Sequence, residues 1–397
     1  MKRALASILL LTLGALSLGA QDKLQISGYA KFLGTFNYFN TDYLPPNLPP
    51  VFAVPGSYQD YQIHNRFDLR YYLNDRWSFG AGMRNRLLWG YQVREIPRYE
   101  ELLAFDPGYF DLSFYWWDGN DVLLHTIFDR AWGQWENEKW IVRLGRQRIN
   151  WGVNTVWNPN DIFNQYNYLD FDYEERPGAD ALRVQFFPNF RSALEFGFTP
   201  GEDLENSVSA LMYKFNRWNY DWQVMGGYYR TDAIIGGAWA GNIYGAGFKG
   251  ELSYFKATKN RREDNVTFSG SLDYQFRNGL YVMASYLYNG LGATRLEPAN
   301  LLQLNSNLLD AKNLFFYRHT LFHSAMIDIT PLLNLNMAVM YTPDLNNFII
   351  FPTLNYSVMR NLDALLAMQY FISTNPYEND QVEWMSALVF GRLKYSF

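Results

Sequence analysis

The chain predicts an all-β fold: a transmembrane, antiparallel, up-and-down β-barrel of about eighteen strands, with about sixteen as the alternative. Aromatic residues make up 18% of the chain, although its mean hydropathy is only −0.26. Strands with one apolar and one polar face, bordered by aromatic girdles, give this composition. Short turns alternate with longer loops along the chain, which is typical of barrels with short periplasmic turns and long extracellular loops.

The amino-terminal segment, residues 1–20, predicts a secretory signal peptide. It has basic residues at its start, then an apolar run, then small residues. No later run approaches the ~18 continuous apolar residues of a spanning helix. Residues 21–397 contain no Ser/Pro-rich linker and no change in composition, so they predict a single barrel domain. We therefore expect export through the periplasm and insertion into the outer membrane.

The individual strands are predicted from apolar and polar residues that alternate with period two. A Pro-rich loop follows the first strand, because so many prolines are incompatible with a sheet. The two strands nearest residue 250 carry the weakest alternation and decide between about sixteen and eighteen strands. The predicted strands are 24–38, 61–73, 76–89, 122–135, 139–147, 181–187, 190–198, 207–215, 220–230, 239–248, 251–258, 266–276, 280–288, 315–329, 333–341, 348–359, 362–372 and 382–397.

The last predicted strand, 382–397, has one apolar face and ends on an aromatic residue, as bacterial outer-membrane proteins do. Closure of the barrel should set it beside the first strand, with Arg392 and Lys394 next to Lys31. The same alternation turns Leu388 and Phe390 inward. We expect either that they pack under a folded-in loop or that a bulge near Gly391 reverses the faces.

The polar faces of the first seven strands and the last one are rich in basic residues. Asp68, Asp129 and Glu195 are the inward acids expected among them. Arginine binds carboxylates and phosphates in a planar, bidentate way and stays charged, so this face predicts an anion-attracting wall, with Arg66, Arg70, Arg84, Arg86 and Arg143 at its centre. The alternative is that these side chains pair with acids and brace the barrel. The later strands, with Thr267, Ser269 and Asn334, predict an uncharged polar wall opposite. The predicted basic wall comprises Lys31, Arg66, Arg70, Arg84, Arg86, Arg143, Arg183, Arg191, Arg392 and Lys394.

The most motif-like stretch is Val142–Asn164, where a strand enters a Gly- and Trp-bearing segment with an Asn-Pro-Asn-Asp turn. Gly145-Arg146-Gln147 followed by Trp151-Gly152 resembles porin-like outer-membrane families that include alginate-export proteins and related Gram-negative barrels. The resemblance implies about eighteen strands and an arginine-rich lumen.

Two hypotheses concern the residues around this motif. Arg146 and Arg148 fall on the lipid face, so we expect a bulge at Gly145 or a position above the membrane. The segment after the strand is interpreted either as a constriction folded back into the lumen or as a surface cap. Its candidate constriction residues are Arg148, Trp151, Trp157, Asn158 and Asp161.

Other classes of function find little support. The chain has no cysteine and four histidines, and His319 and His323 would lie about 13 Å apart along a strand, too far for one metal ion. We therefore expect no metal, no cofactor and no catalytic site, and the net charge of −5 gives no sign of nucleic-acid binding.

The predicted function is passive diffusion of small anionic or hydroxyl-rich solutes through an outer-membrane porin. The alternatives are an export conduit for an anionic polysaccharide and a loop-closed barrel that acts as an adhesin or structural anchor. Expected partners are outer-membrane lipid and lipopolysaccharide, the barrel-assembly machinery and the solutes themselves, and a homo-oligomer is an open alternative.

Overall fold

The computed structural model describes residues 23–41, 55–104, 106, 108–164, 175, 177–259, 263–294, 309–374 and 382–397, and the predicted signal peptide lies outside them. One antiparallel sheet contains all nineteen strands of these residues, and it closes because β1 pairs with both β2 and β19. The strands are β1 (Leu24–Phe39), β2 (Ser57–Asn74), β3 (Trp77–Gly90), β4 (Ser113–Asp118), β5 (Val122–Glu136), β6 (Trp140–Gln147), β7 (Ala179–Asn189), β8 (Ser192–Thr199), β9 (Val208–Arg217), β10 (Tyr220–Tyr229), β11 (Asp232–Ile243), β12 (Ala246–Ala257), β13 (Asn265–Gln275), β14 (Tyr281–Asn289), β15 (His319–Thr330), β16 (Leu333–Thr342), β17 (Asn347–Met359), β18 (Leu362–Thr374) and β19 (Val382–Ser396).

Eighteen of these strands follow one another around the wall, which confirms the predicted closed barrel. The extra strand is β4, which lies in a loop that the sequence predicted to be without strands. It pairs with the end of β5 nearest Val122, beyond the part of β5 that pairs with the shorter β6. The same loop forms two short helices, α1 (Tyr91–Glu95) and α2 (Tyr99–Ala104), and Pro343–Leu345 form a 3-10 turn. No helix among the described residues has the length and apolar character needed to span a membrane.

The boundary between β11 and β12 differs from the prediction. The turn lies at Tyr244 and Gly245, so Lys249 belongs to β12 and not to a turn. The predicted strand began at residue 239, whereas β11 begins at Asp232. A Cβ on Gly236 would lie 2.5 Å from Asn160 Oδ1, so glycine here admits a second segment of chain against the strand.

The two faces of the wall are clearly different. Ile63 and Leu69 of β2 are 45% and 40% exposed on the outer face, whereas His64 and Arg66 between them are buried on the inner face. Tyr61 and Tyr71 lie ten residues apart on the same outer face, about 33 Å along the strand. With the usual tilt of barrel strands this gives an apolar band about 25 Å tall, the height found in membrane barrels.

The register of β19 settles the question about its inner face. Its pairing with β1 runs without a shift from Ser386 to Ser396, so the predicted alternative of a bulge near Gly391 is wrong. Phe390 does face inward, where it forms a buried apolar cluster with Leu33, Leu365 and Ala367, and Leu388 packs against that cluster.

Candidate pore lumen

The chain leaves the wall after β6 and crosses the barrel interior; we call residues 148–164 the inward segment. Its main anchor is Glu251 of β12, whose side chain is fully buried. Glu251 Oε1 accepts hydrogen bonds from the backbone N–H groups of Val153 (2.6 Å) and Asn154 (2.7 Å), and Oε2 accepts one from Asn160 (3.0 Å). A carboxylate that accepts several backbone N–H groups fixes the path of the segment that donates them.

Further hydrogen bonds attach the inward segment to the wall. Trp151 Nε1 donates to Glu195 Oε1 of β8 (2.6 Å). Asn154 Nδ2 donates to Ser269 Oγ (3.1 Å), and the Ser271 hydroxyl donates to Asn154 Oδ1 (2.8 Å). Part of the predicted uncharged polar wall therefore binds the inward segment by hydrogen bonds.

Apolar contacts complete the attachment. Trp157 packs edge-on against Phe315 and Phe322, with ring centroids 6.3 and 6.2 Å away, in a buried cluster that reaches Met340 and Ile349. The inward segment thus contacts strands from β8 to β15.

A second stretch, residues 309–317, lies over the same region. Ala311 is buried in one cluster with Trp151, and Lys312 Nζ donates to Asp232 Oδ2 of β11 (2.8 Å). Tyr317 is buried beside Phe315, and burial raises the pKa of its hydroxyl above the ordinary value.

The predicted constriction residues fall into two groups. Trp151, Trp157, Asn158 and Asp161 are all buried inside the barrel, whereas Arg148 is only half-buried at the start of the segment. The alternative of a surface cap is thereby contradicted for these four residues. Asn158 lies against Gly152, where any Cβ would meet the amide at 2.1 Å.

Arg146 lies on the outer face, as the alternation predicted, and carboxylates surround it. Its register partner Asp180 accepts bonds from Nε (3.0 Å) and Nη2 (2.7 Å), and Asp106 accepts one from Nη1 (2.6 Å). The pairing register continues through Gly145 without a shift, so the predicted bulge does not form there. The backbone is nevertheless distorted at this residue, whose φ is +112°. The segment around Phe110 covers the guanidinium, so the charge is paired and buried at the point where β6 ends.

The predicted basic wall separates into buried and half-exposed members. Lys31, Arg66 and Arg84 are only 2%, 2% and 7% exposed, so the expectation that Arg66 and Arg84 present their charge to solutes is wrong. They are enclosed by neighbouring inner-face side chains. Arg70 is exposed, and Arg86, Arg143, Arg183, Arg392 and Lys394 are partly exposed on the inner face.

Two of these arginines are bound by acids within the wall, as the bracing hypothesis predicted. Arg66 donates to both oxygens of Asp68 and to Asp129 Oδ2 (2.5 Å). Arg183 donates in a bidentate way to Glu195, at 2.7 and 3.0 Å.

Arg70 and Arg143 have different surroundings. Both guanidinium groups lie over the indole of Trp132, at 5.8 and 4.2 Å from the ring. Arg143 Nε donates to Gln134 (2.7 Å), and Arg143 is the direct register neighbour of Arg183. Two guanidinium groups therefore converge over one indole in the half of the lumen nearest the short turns. Arg183, the register neighbour of Arg143, is bound by Glu195.

Arg191 is a further correction. The sequence placed it on the inner face of a strand, but it lies exposed in the short turn between β7 and β8, over the ring of Phe190. The strand begins only at Ser192, because Asn189 Oδ1 accepts the Arg191 backbone N–H and forms an Asx turn.

Three inner-face basic residues were missed: Arg130, Lys214 and Lys249. A bulge at Asp129 brings both Asp129 and Arg130 to the inner face, and strict alternation could not predict this. Lys214 follows the inward Met212 on β9, so alternation alone could have found it. Within the described part of the chain, no group of three or more His, Cys, Asp or Glu side chains could hold a metal ion.

Comparison with known proteins supports the fold. Residues 119–300 match the sequence model of a family described as a protein of unknown function (DUF1302). No curated protein sequence matches the chain.

Solved structures give a broader likeness. Pseudomonas aeruginosa OccK11 (OpdR) superimposes with a TM-score of 0.56 at 11% identity, over 94% of this chain and 96% of that one. Acinetobacter baumannii OccAB3 gives 0.57 at 12% identity, over 94% and 99%. P. aeruginosa OccK5 (OpdH) gives 0.55 at 8% identity, over 96% and 99%.

At such identities the likeness concerns the fold. The matches support a porin-like barrel, closed and antiparallel with eighteen wall strands, and give no support to the alginate-export family in particular.

Proposed function

We propose that this chain is an outer-membrane channel for passive diffusion of small anionic or hydroxyl-rich solutes. The observation that carries the proposal is the one-sided filling of the barrel. The inward segment binds strands from β8 to β15. Most of the exposed and half-exposed basic side chains described on the inner face lie on β2, β3, β5, β6, β7 and β19, and the exceptions are Lys214 of β9 and Lys249 of β12. A solute path along the basic side would be narrow and positively charged, which raises the local concentration of anions.

Arg70 and Arg143 are the proposed solute-contacting residues. Their charges are not bound by a carboxylate in the contacts around Trp132, and a guanidinium fork binds carboxylates and phosphates in a bidentate way. Arg86, Arg392 and Lys394 would extend the same side along the lumen. Arg66 and Arg183, bound by acids, would hold the wall in shape.

The test is the anion-to-cation permeability ratio of the purified protein in planar bilayers. We expect the double substitution Arg70→Gln and Arg143→Gln to lower the ratio about two- to threefold, since two fixed charges leave the narrow path. Arg217→Gln is the matched control, because Arg217 lies on the outer face at the end of β9, against Trp218. Channels with an unchanged ratio in the double variant would contradict the assignment.

A barrel closed by the inward segment and by residues 309–317 is the second candidate. It is favoured by the complete burial of Trp151 and Ala311 inside the wall. Folded protein that inserts into bilayers without conducting would support it. Export of an anionic polysaccharide needs a wide lumen, and the inward segment argues against that alternative.

A further inference from the structure

A row of polar side chains crosses the outer face of the wall; we call Asn65, Asn85 and Thr126 the amide row. Asn85 Nδ2 donates to Asn65 Oδ1 (2.8 Å), and the Thr126 hydroxyl donates to Asn85 Oδ1 (2.5 Å). The three residues are direct register partners on β2, β3 and β5. The row is therefore continuous across three neighbouring strands.

The row lies inside the apolar band. On β2, Asn65 stands between Tyr61 and Tyr71, four and six residues away on the same face. On β3, Asn85 stands between Phe79 and Trp89 in the same way. Exposed apolar side chains, Ile63 and Leu69, flank Asn65 along its strand. This position corresponds to hydrocarbon in a membrane barrel.

The two ends of the row differ. At the β5 end, Trp116 of β4 donates a hydrogen bond from Nε1 to Thr126 Oγ1 (2.9 Å). The hydrogen bonds at this end of the row are therefore made within the protein. At the β2 end, Asn65 is partly exposed, and its register neighbour on β1 is the small, exposed Ala30. Among the described residues, none accepts a hydrogen bond from Asn65 Nδ2.

A polar donor exposed to hydrocarbon is unfavourable, and in membranes such groups are commonly satisfied by a neighbouring protein. We propose that Asn65 is the centre of a contact between two copies of this chain, related by a twofold axis. A carboxamide is self-complementary: across such an axis each Nδ2 can donate to the other copy's Oδ1. The small Ala30 allows the two walls to approach. The proposal requires the barrel to span a membrane but is independent of the solute.

The experiment uses cysteine crosslinking in native membranes, since the chain has no cysteine of its own. Ile63→Cys places one thiol on the same face as Asn65 and leaves the amide in place. Leu252→Cys, equally exposed on the outer face of β12, is the matched control. A short bis-maleimide crosslinker should convert the Ile63→Cys protein to a covalent dimer and leave the Leu252→Cys protein monomeric.

Asn65→Leu added to Ile63→Cys should reduce the dimer, with a dimer dissociation constant raised about tenfold in nanodiscs, because two hydrogen bonds are lost. Heat-modifiable migration on gels verifies that each variant is a folded barrel. Equal crosslinking at residues 63 and 252, or a dimer that Asn65→Leu leaves unchanged, would overturn the proposal. Crosslinking does not depend on conductance. A failure of the dimer proposal can therefore be told apart from a failure of the proposed channel function.

Discussion

Gly145 shows how one residue fits the strand to its surroundings. Its φ is +112°, a region that side chains rarely adopt, and an added Cβ would lie 2.2 Å from the Ala131 carbonyl oxygen. The same position precedes Arg146, whose guanidinium must reach Asp180 and Asp106. Glycine therefore permits a backbone distortion next to the buried ion cluster.

Replacing this glycine tests the argument. We expect Gly145→Ala to lower the free energy of unfolding by about 2–4 kcal/mol, because it combines an unfavourable φ with a backbone clash. Denaturant titration of the protein refolded in lipid vesicles provides the measurement. Gly391→Ala is the control: Gly391 has an ordinary φ and nothing lies within 4 Å of an added Cβ, so a change within about 0.5 kcal/mol is expected. Equal effects at both glycines would contradict the account.

At the scale of elements, the inward segment depends on a single strand residue more than on any other. Glu251 accepts three of its backbone N–H groups, while further bonds to the wall strands are distributed over Glu195, Gly237, Ser253, Ser269 and Ser271. Loss of this carboxylate leaves the donors without their acceptor in a tightly packed site. The segment should then move more freely inside the barrel.

We expect Glu251→Ala to increase the single-channel conductance and its fluctuations, and to lower the free energy of unfolding by about 1–3 kcal/mol. Single-channel recording and denaturant titration measure the two effects. Glu202→Ala, in an exposed loop, should leave both unchanged. A Glu251→Ala channel with wild-type conductance would show that the segment does not limit the current.

Much of this organisation could be predicted from the sequence because it is local. Alternation within each strand identified the inner and outer faces of Arg143 and Arg146, and the wall strands followed from the rhythm of turns. Features that depend on distant residues were not predictable in this way. Strand β11, for example, begins at Asp232, seven residues before the predicted start at Trp239, and Gly236 in this additional part lies against Asn160 of the inward segment.

The basic wall shows a second limit of local patterns. Alternation gives the direction of a side chain but not its burial, so Arg66 and Arg70 looked equivalent although one is enclosed and the other exposed. Acid partners on other strands also escape local patterns: Asp129 of β5 binds Arg66, and Glu195 of β8 binds Arg183. Bulges add a further error, because one extra residue at Asp129 changes the face of the next.

For the whole molecule, the distribution of charge matters more than its sum. The chain carries a net charge of −5, yet the side of the lumen that we propose as the solute path carries Arg70, Arg86, Arg143 and Lys394, which are exposed or half-exposed. The opposite side is occupied by the inward segment and its apolar contacts. An ion crossing the barrel would therefore pass a positive surface despite the acidity of the protein as a whole.

The most direct test is the reversal potential of the wild-type protein in a planar bilayer separating two potassium chloride concentrations. The sign of that potential reports whether chloride or potassium crosses more readily. We expect anion selectivity, because basic side chains outnumber acidic ones such as Asp68 and Asp363 among the exposed and half-exposed charges along the proposed path. A reversal potential of the cation-selective sign would contradict the central claim.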